Sequence, residues 1–366
     1  TYHGDSSACV VENGRLVTAV EEERFRRIKH WAGFPSEAIR FCLKEVNVDV
    51  KDLDLIAVNR RPASNILRKA IFSLCRRPSL TVISDRLNNA RKVKSIKATL
   101  AEQFKVDTSK LKAKVYQVEH HVSHLSSTFF VSPFDKAAVV SVDGFGDFVG
   151  AMWGVGQGEN IEIKERIFFP HSLGLFYQSI TQYLGFNKYG DEYKVMGLAP
   201  YGEPVYLGKM RKIIHLNRNG RFKLNLEYFI HYTEDVAMKW EGGEPHIPPL
   251  FSQKLVELLG PARKSGEDIN ERHKNIASSL QAIYEEAFFN LLHSVYEKSR
   301  VRTLCLAGGC AMNSVANGKI IDKTPFEEVY IPPAAGDAGG AIGAAFHVWH
   351  TVLKQPRSFV LENPYL

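Results

Sequence analysis

Residues 137–147 read Ala-Ala-Val-Val-Ser-Val-Asp-Gly-Phe-Gly-Asp, and this stretch decides the fold class. Its first six residues predict a buried β-strand, because a short apolar run rich in valine is bounded by a turn signal. The turn runs from Asp143 to Asp147, and residues 150–155 predict the strand that returns from it. Glycines in such a turn allow backbone amides to approach an anion closely. We therefore expect a ligand-binding hairpin at the end of this strand.

The rest of the chain repeats this combination of strands and glycine-rich turns. Residues 8–20 predict a hairpin around Asn13-Gly14, because both central residues of a two-residue turn need positive φ. Residues 303–307 predict a strand that opens onto Gly308-Gly309, and residues 329–331 predict a last strand before the turn at 336–340. Ligands collect at such strand ends in α/β sheets. This order predicts an α/β fold with two lobes and a cleft between them.

We divide the chain into two predicted lobes. Residues 1–135 form the first lobe, with a basic helical insertion at 60–114; residues 136–355 form the second, with an irregular insertion at 204–261; and residues 356–366 begin a linker to a further domain. The basic insertion has a net charge of +12, whereas the whole chain has +7. Such a segment can hold a polyanion, or its Lys and Arg stems can cover a neighbouring surface. Because only two aromatic residues, Phe72 and Phe104, accompany the 15 basic ones, we favour the second interpretation.

The composition excludes several classes of protein. With 45% hydrophobic and 24% charged residues, the chain is neither disordered nor fibrous. No apolar run approaches the roughly 18 residues of a membrane-spanning helix. The five cysteines are scattered without a CxxC pair, which argues against a disulfide framework and favours a reducing compartment. We therefore expect a cytoplasmic protein with no membrane partner.

Two histidines and two aspartates form the strongest chemical pattern. A spacing of four places His120 and His124 on one face of a helix, where both imidazoles can reach one metal ion. Asp143 and Asp337 each lie in a glycine-rich turn that follows a strand. A capping histidine pair and two turn-forming aspartates are the structural alternative. Together, imidazole and carboxylate favour iron, manganese or zinc over calcium.

Three further motifs allow more than one interpretation. Residues 307–313, Ala-Gly-Gly-Cys-Ala-Met-Asn, predict a strand followed by a helix N-terminus, which suits a phosphate or a ribose but is also a common tight turn. Residues 190–202 combine glycine, charged and aromatic residues, as functional loops and well-packed loops both do. Residues 21–30, Glu-Glu-Glu-Arg-Phe-Arg-Arg-Ile-Lys-His, predict a charged, solvated loop or helix.

Taken together, these motifs resemble the O-carbamoyltransferases of the nodulation and antibiotic-biosynthesis type, over nearly the whole chain. The Asp143 turn also resembles the phosphate-binding hairpin of actin-like ATPases. The motifs that carry the resemblance are Gly4-Asp5-Ser6-Ser7-Ala8, residues 20–25 with Lys29-His30, His120-x-x-x-His124, Asp143-Gly144-x-Gly146-Asp147, Ser172-Leu173-Gly174-x-Phe176-Tyr177, residues 190–202, residues 308–313 and residues 333–339.

The resemblance implies an actin-like ATPase fold, related to the tRNA threonylcarbamoyl-transfer enzymes. It implies that a C-terminal domain makes carbamoyl-adenylate from carbamoyl phosphate and ATP, with Mg²⁺. The domain represented here would pass the carbamoyl group to a hydroxyl of a small acceptor and release AMP. It would hold an iron ion, with manganese or zinc as alternatives, on His120, His124, Asp143 and Asp337.

The family pattern also implies roles for individual residues. Asp5, Lys29 and Asp143 fall at positions expected to be catalytic, although the identity of the general base stays open. The residues that the pattern places at the nucleotide are Gly144, Gly146, Ser172, Gly308, Gly309, Asn313 and Asp337. We expect no nucleic-acid partner, and a homodimer is compatible with the sequence.

The sequence departs from the family pattern in two places. Gly4 stands where some members have a histidine before the first aspartate, which leaves the role of His3 open. The chain stops near Pro364 without the arginine-rich motif that binds carbamoyl phosphate, so we expect it to lack the adenylating half-reaction. Two alternatives remain: a nucleotide-regulated, actin-like binding module, and a tRNA carbamoyl-transfer enzyme with the basic insertion as its footprint.

Overall fold

The protein is described by a computed structural model, which covers residues 3–76, 95–232 and 239–364. Part of the predicted basic insertion, residues 77–94, lies outside the described residues, and so does the stretch 233–238 of the predicted irregular insertion. Within the described ranges, no helix is both long and apolar enough to cross a membrane.

The strands are β1 (Ser7–Glu12), β2 (Arg15–Glu21), β3 (Leu55–Val58), β4 (Lys114–Gln117), β5 (Lys136–Gly146), β6 (Val149–Gln157), β7 (Asn160–Phe168), β8 (Ile214–Leu216), β9 (Phe222–Leu224), β10 (Lys239–Glu241), β11 (Glu244–His246), β12 (Thr303–Ala307) and β13 (Glu328–Tyr330). The helices are α1 (Glu23–Arg26), α2 (Ser36–Glu45), α3 (Ile66–Arg76), α4 (Ile96–Phe104), α5 (His120–Phe129), α6 (Leu173–Tyr183), α7 (Glu192–Leu198), α8 (Leu207–Ile213), α9 (Gln253–Leu259), α10 (Glu271–Ser299), α11 (Ser314–Asn317), α12 (Ile320–Lys323) and α13 (Gly340–Phe346).

A five-stranded mixed sheet in the order β13-β12-β5-β6-β7 forms the centre of the molecule. β5, β6 and β7 are antiparallel neighbours, whereas β12 and β13 run parallel to β5. The carboxyl ends of β5 and β12 therefore meet at one edge of the sheet. At this edge Gly308, which follows β12, lies beside the Val142-Asp143 segment of β5. Strand β7 was not among the predicted elements, although Asn160–Phe168 alternates polar and apolar residues as a strand with one exposed face does.

Helices cover both faces of this sheet. On one face, α6 and α10 enclose the largest core cluster, in which Phe176, Ile180, Leu280 and Phe288 are fully buried. On the other face, α5 packs on β5 and β12, and α13 packs on α5. Helix α13 continues as a π-helical segment, His347–Val352. The chemistry described below depends on α5, because its first turn faces the end of β5.

Smaller sheets flank this core. β1 and β2 form the predicted hairpin, with Asn13 at φ 50° and Gly14 at φ 80° as a two-residue turn of this kind requires. β3 and β4 form a separate parallel pair among the described residues. Helix α13, which the sequence analysis assigned to the second lobe, contacts β1 and β3, and the two predicted lobes therefore share this helix.

Two sequence-based interpretations are corrected by the structure. Glu22, expected in a solvated charged loop, is fully buried; its carboxylate accepts hydrogen bonds from Arg26 (2.9 Å) and from the backbone amides of Glu37 (3.2 Å) and Ala38 (2.7 Å). It satisfies amides in the first turn of α2, which otherwise lack partners. The helix expected after Gly309 is a single 3₁₀ turn over Gly309–Met312 followed by the four-residue α11, so there is no long helix dipole at that point.

Candidate metal centre and cleft

Three elements bring the four predicted ligands to one place. Helix α5 carries His120 and His124 on one face, the end of β5 carries Asp143, and a 3₁₀ turn over Asp337–Gly339 carries Asp337. The position of α5 is also fixed by the neighbouring His121, whose ring bonds the Ser141 hydroxyl (2.9 Å) and the Val149 carbonyl oxygen (2.8 Å). The helix is therefore held against the sheet independently of the four candidate ligands.

The four side chains converge closely. One ligand atom from each lies within 4.8 Å of all the others. The Nε2 atom of His120 lies 3.1 Å from Asp143 Oδ2 and 3.1 Å from Nε2 of His124, which in turn lies 3.2 Å from Asp337 Oδ1. Two imidazoles and two carboxylates at these separations form a donor set of the kind that transition metals prefer.

Two buried polar atoms of this set make no well-formed hydrogen bond among the described residues. They are Nδ1 of His124 and Oδ1 of Asp337, and the latter has only ion-pair contacts with the two histidine rings, the shorter from His124 Nε2 at 3.2 Å. In addition, Nε2 of His120 and Nε2 of His124 face each other at 3.1 Å. When both rings are neutral, only one of these two nitrogens can carry the proton that lies between them. Buried polar groups normally find partners, so unpaired atoms in such a cluster fit a bound cation. The residues present therefore suit a metal ion.

The electrostatics of the cluster favour positive charge. Burial by itself lowers the pKa of His120, but the carboxylates of Asp337 and Asp143 outweigh this effect and raise the pKa to about 9. Burial opposes ionisation of Asp337, yet the neighbouring His120 and His3 hold the pKa of its carboxyl well below the usual range. The two carboxylates therefore stay ionised, and the cluster attracts positive charge. In the chain alone this charge is a proton on His120, and a bound metal ion would replace it.

A second layer of residues orients this cluster. Nδ1 of His3 lies 3.3 Å from Asp337 Oδ2, and Asn59 bonds the other ring nitrogen of His3 at 3.1 Å. Asp147 Oδ2 accepts hydrogen bonds from the backbone amides of His120 (2.9 Å) and Arg61 (2.8 Å), which caps the first turn of α5. The final aspartate of the 143–147 motif thus anchors the helix that carries both histidines.

The cluster opens into a cavity of about 680 Å³. This volume suits a ligand of nucleotide or drug size. His120, Asp143 and Asp337 are among the polar lining residues, and a second group of lining residues is apolar or aromatic. The apolar wall consists of Phe145, Phe169, Leu175, Tyr193, Trp240, Ile247 and Leu250.

Most residues predicted to bind ligands lie on this cavity. They are Asp5, Lys29, His120, Asp143, Gly144, Gly146, Gly309, Asn313 and Asp337. Of the remaining three, His124 is buried and does not line the cavity, but its ring contacts that of His120 within the cluster. Ser172 and Gly308 do not line the cavity, and their role at a nucleotide stays a prediction: Ser172 is fully buried and donates to the Asp143 carbonyl oxygen (2.8 Å), and a Cβ at Gly308 would fall 2.3 Å from the Val142 oxygen.

The predicted turn over Asp143–Asp147 is corrected: β5 continues to Gly146, and the two-residue turn is Asp147-Phe148. Gly144 and Gly146 therefore lie near the end of the strand, and they have different surroundings. A Cβ atom at Gly144 would meet no atom within 4 Å, whereas one at Gly146 would fall 2.1 Å from the His120 ring. Gly309 donates its amide to Asp143 Oδ1 at 2.7 Å, so this amide already orients a candidate metal ligand. Asn313 is likewise engaged, because its side chain exchanges hydrogen bonds with Gln281 at 3.0 and 3.1 Å.

The cavity also contains residues that sequence reasoning had not singled out. His30, Glu23, Tyr189 and Glu192 line it beside Asp5 and Lys29. Nδ1 of His30 lies 2.7 Å from Asp5 Oδ1, across 25 residues of chain. Burial raises the pKa of Glu192 to about 7. The signals in the sequence were the lysine-histidine pair at 29–30 and the charged 190–202 loop, but neither indicates a partner by itself.

Fold and site define an α/β protein in which helix α5, strand β5 and a 3₁₀ turn bring two histidines and two aspartates together beside a nucleotide-sized cavity. Residues 1–346 match the family described as "Carbamoyltransferase N-terminus". The chain belongs to this family, which confirms the resemblance inferred from its motifs.

Relatives with curated sequences agree with this assignment. The uncharacterized protein sll1178 of Synechocystis sp. is 39% identical over 364 residues, which cover 97% of this chain and 57% of that protein. The nodulation protein NolNO of Sinorhizobium fredii is 33% identical over 351 residues, covering 94% of this chain and 46% of the relative. The chain thus spans about half the length of these relatives. A solved structure, HypF of T.kodakarensis, aligns over 94% of this chain and 47% of its own, with 13% identity and a TM-score of 0.41.

Proposed function

We propose that this chain is the transfer domain of an O-carbamoyltransferase. In this account the cavity binds carbamoyl-adenylate, and a hydroxyl of a small or sugar-like acceptor takes the carbamoyl group while AMP leaves. The observation that carries the proposal is the His₂Asp₂ cluster on the wall of a cavity of about 680 Å³, in a member of the carbamoyltransferase family. We further propose an actin-like ATPase fold, for which the sheet order β13-β12-β5-β6-β7 is the supporting feature.

The four residues of the cluster would hold the metal ion, iron in our proposal and manganese or zinc as alternatives. Such an ion would polarise the carbamoyl carbonyl and neutralise phosphate charge. The chain's own contribution is rigidity: Asp147 caps α5, His121 bonds the helix to Ser141 of β5, and the Gly309 amide orients Asp143. A preorganised set of this kind need not rearrange during the reaction.

The nucleotide would lie along the end of β5 that follows Asp143. Gly144 leaves the space beside its backbone open, so a phosphate can approach closely there. The apolar wall excludes water from the transfer, which protects the mixed anhydride from hydrolysis. Synthesis of the adenylate from carbamoyl phosphate and ATP, with Mg²⁺, would belong to the part of the protein outside this chain. We propose a cytoplasmic location and no nucleic-acid partner.

The proposal is tested by supplying synthetic carbamoyl-adenylate and measuring AMP release together with carbamoylation of hydroxylated acceptors. A panel of monosaccharides, aminocyclitol antibiotics and chitin oligosaccharides gives the acceptor class. We expect AMP and carbamoylated product in equal amounts with at least one acceptor. Replacement of Asp143 with Asn should abolish both.

A further inference from the structure

Asp5 and His30 form a pair at the mouth of the cavity, apart from the His₂Asp₂ cluster. Oδ1 of Asp5 lies 2.7 Å from Nδ1 of His30, and both residues line the cavity. The His30 side chain is 32% exposed, and Nε2 has no hydrogen-bond partner among the described residues. An aspartate on one ring nitrogen fixes the tautomer and leaves the other nitrogen free to accept a proton.

We propose that His30 is the general base that takes the proton from the acceptor hydroxyl, and that Asp5 is the positioning residue which orients its ring. This inference rests on the proposed carbamoyl transfer, and it assigns the base that the family resemblance left open.

The local backbone is built around this contact. Asp5 has φ 58° and His30 has φ 57°, a left-handed conformation that aspartate and histidine adopt more readily than most other residues. The His30 amide donates to Glu23 Oε2 at 2.7 Å, which fixes the loop from the other side. The ring packs edge-on against Tyr189, with centroids 5.3 Å apart, and a Cβ at Gly190 would fall 2.2 Å from Nε2. Three contacts thus position the imidazole ring, and a fourth fixes the backbone of His30.

The same three residues, Asp5, Glu23 and His30, also bring ligand atoms within 4.8 Å of one another. Hydrogen bonds already account for this proximity, because Asp5 and Glu23 each accept one from His30. The donor set therefore needs no ion to explain its geometry. His30 and Asp5 correspond to the base and the orienting residue that activate a nucleophile in many enzymes. Here the nucleophile would be the hydroxyl oxygen of the acceptor.

The acceptor O–H bond breaks and its proton passes to Nε2 of His30. The oxygen forms a bond to the carbamoyl carbon, and the bond from that carbon to the phosphate oxygen breaks, with its electron pair leaving on AMP. His30 then returns its proton to solvent. The imidazole ends the cycle neutral and hydrogen-bonded to Asp5 as it began.

The pH dependence follows from the surroundings of His30. The hydrogen bond from Asp5 raises the pKa of the imidazole above 6.5, against the opposing effect of burial. A base must be deprotonated to act, so the transfer rate should rise with pH through this raised pKa and then level off. The titratable groups around His30 are Asp5, Glu21, Glu23, Lys29, Tyr189 and Glu192.

The test compares His30→Asn with Arg27→Asn in the complete protein, supplied with synthetic carbamoyl-adenylate and the acceptor panel. Asparagine tolerates positive φ and keeps a donor near Asp5, but it lacks the distal nitrogen. Arg27 has φ 58°, is exposed and does not line the cavity, so it is a matched control. We expect His30→Asn to lower kcat by about 10²–10⁴-fold, with little change in KM for the adenylate and loss of the rise with pH. Arg27→Asn should retain the wild-type rate and profile.

The possible outcomes distinguish the role of His30 from the proposed carbamoyl-transfer function. A His30→Asn protein that transfers within threefold of the wild-type rate, or that keeps the wild-type pH profile, overturns the role of His30. An equal loss in Arg27→Asn overturns it as well, because the effect would then be one of loop stability. A wild-type protein that carbamoylates no acceptor contradicts the proposed function, and the role of His30 with it.

Discussion

The ring of His120 occupies the space next to Gly146, so close that a Cβ atom at position 146 would fall 2.1 Å from it. Gly146→Ala should therefore displace the imidazole and reduce metal content, whereas Gly144→Ala has open space and should keep it. Metal analysis of the two purified variants measures the difference. Equal occupancy in both variants would show that His120 does not hold the ion.

Removal of the ligands themselves is the more direct version of this test. We expect the His120→Ala/His124→Ala double variant to lose most of its bound transition metal, because half of the donor set is gone. His215→Ala, at an exposed position on β8, is the control and should retain the metal. Full occupancy in the double variant would rule out the His₂Asp₂ assignment.

Nucleotide binding can be tested at Gly144 without disturbing the cluster. Valine there would project into the open space where a phosphate is expected, and should weaken binding of AMP by tenfold or more, about 1.4 kcal/mol. Gly309 is less suitable, since a Cβ at that position would fall 2.9 Å from Asp143 Oδ1 and disturb a metal ligand. Calorimetric titration with AMP gives the affinities. Unchanged affinity in Gly144→Val would mean that the phosphate lies elsewhere.

The buried carboxylate of Glu22 gives a prediction about stability. Its removal leaves the partly exposed Arg26 and two amides of α2 without their acceptor, so Glu22→Ala should lower the free energy of unfolding by about 1–3 kcal/mol. Glu45→Ala, at an exposed position in the same helix, should change it by less than about 0.5 kcal/mol. Urea unfolding of the two variants measures both values. Similar midpoints for the two would contradict the structural role of Glu22.

The sequence was sufficient to group the metal-cluster residues, for a physical reason. His120 and His124 are related by helical periodicity, and Asp143 and Asp337 follow strands whose glycine-rich turns mark ligand-binding edges. The structure brings these four together. The hairpin at Asn13-Gly14 and helix α10 were likewise predictable, since a turn preference and a long apolar periodicity are local signals.

Other features depend on contacts that no local pattern encodes. The Asp5–His30 pair joins residues 25 positions apart, each with positive φ. Glu22 looks like its neighbours Glu21 and Glu23 in the sequence, yet it alone of the three is fully buried. Ser172 belongs to a motif predicted to bind nucleotide, and its hydroxyl contacts the Asp143 backbone. In each case contacts between residues far apart in the sequence determine the surroundings of the side chain, and a local pattern does not contain that information.

The most direct test of the central claim follows the fate of the carbamoyl group. Carbamoyl-adenylate labelled at the carbamoyl carbon is given to the metal-loaded protein with the acceptor panel, and AMP, ADP and labelled product are measured in parallel with ATP as the alternative substrate. The account predicts labelled O-carbamoyl product and AMP in equal amounts, with both lost in Asp143→Asn. Hydrolysis of ATP to ADP and phosphate, with no label on any acceptor, would contradict it and favour a nucleotide-regulated module.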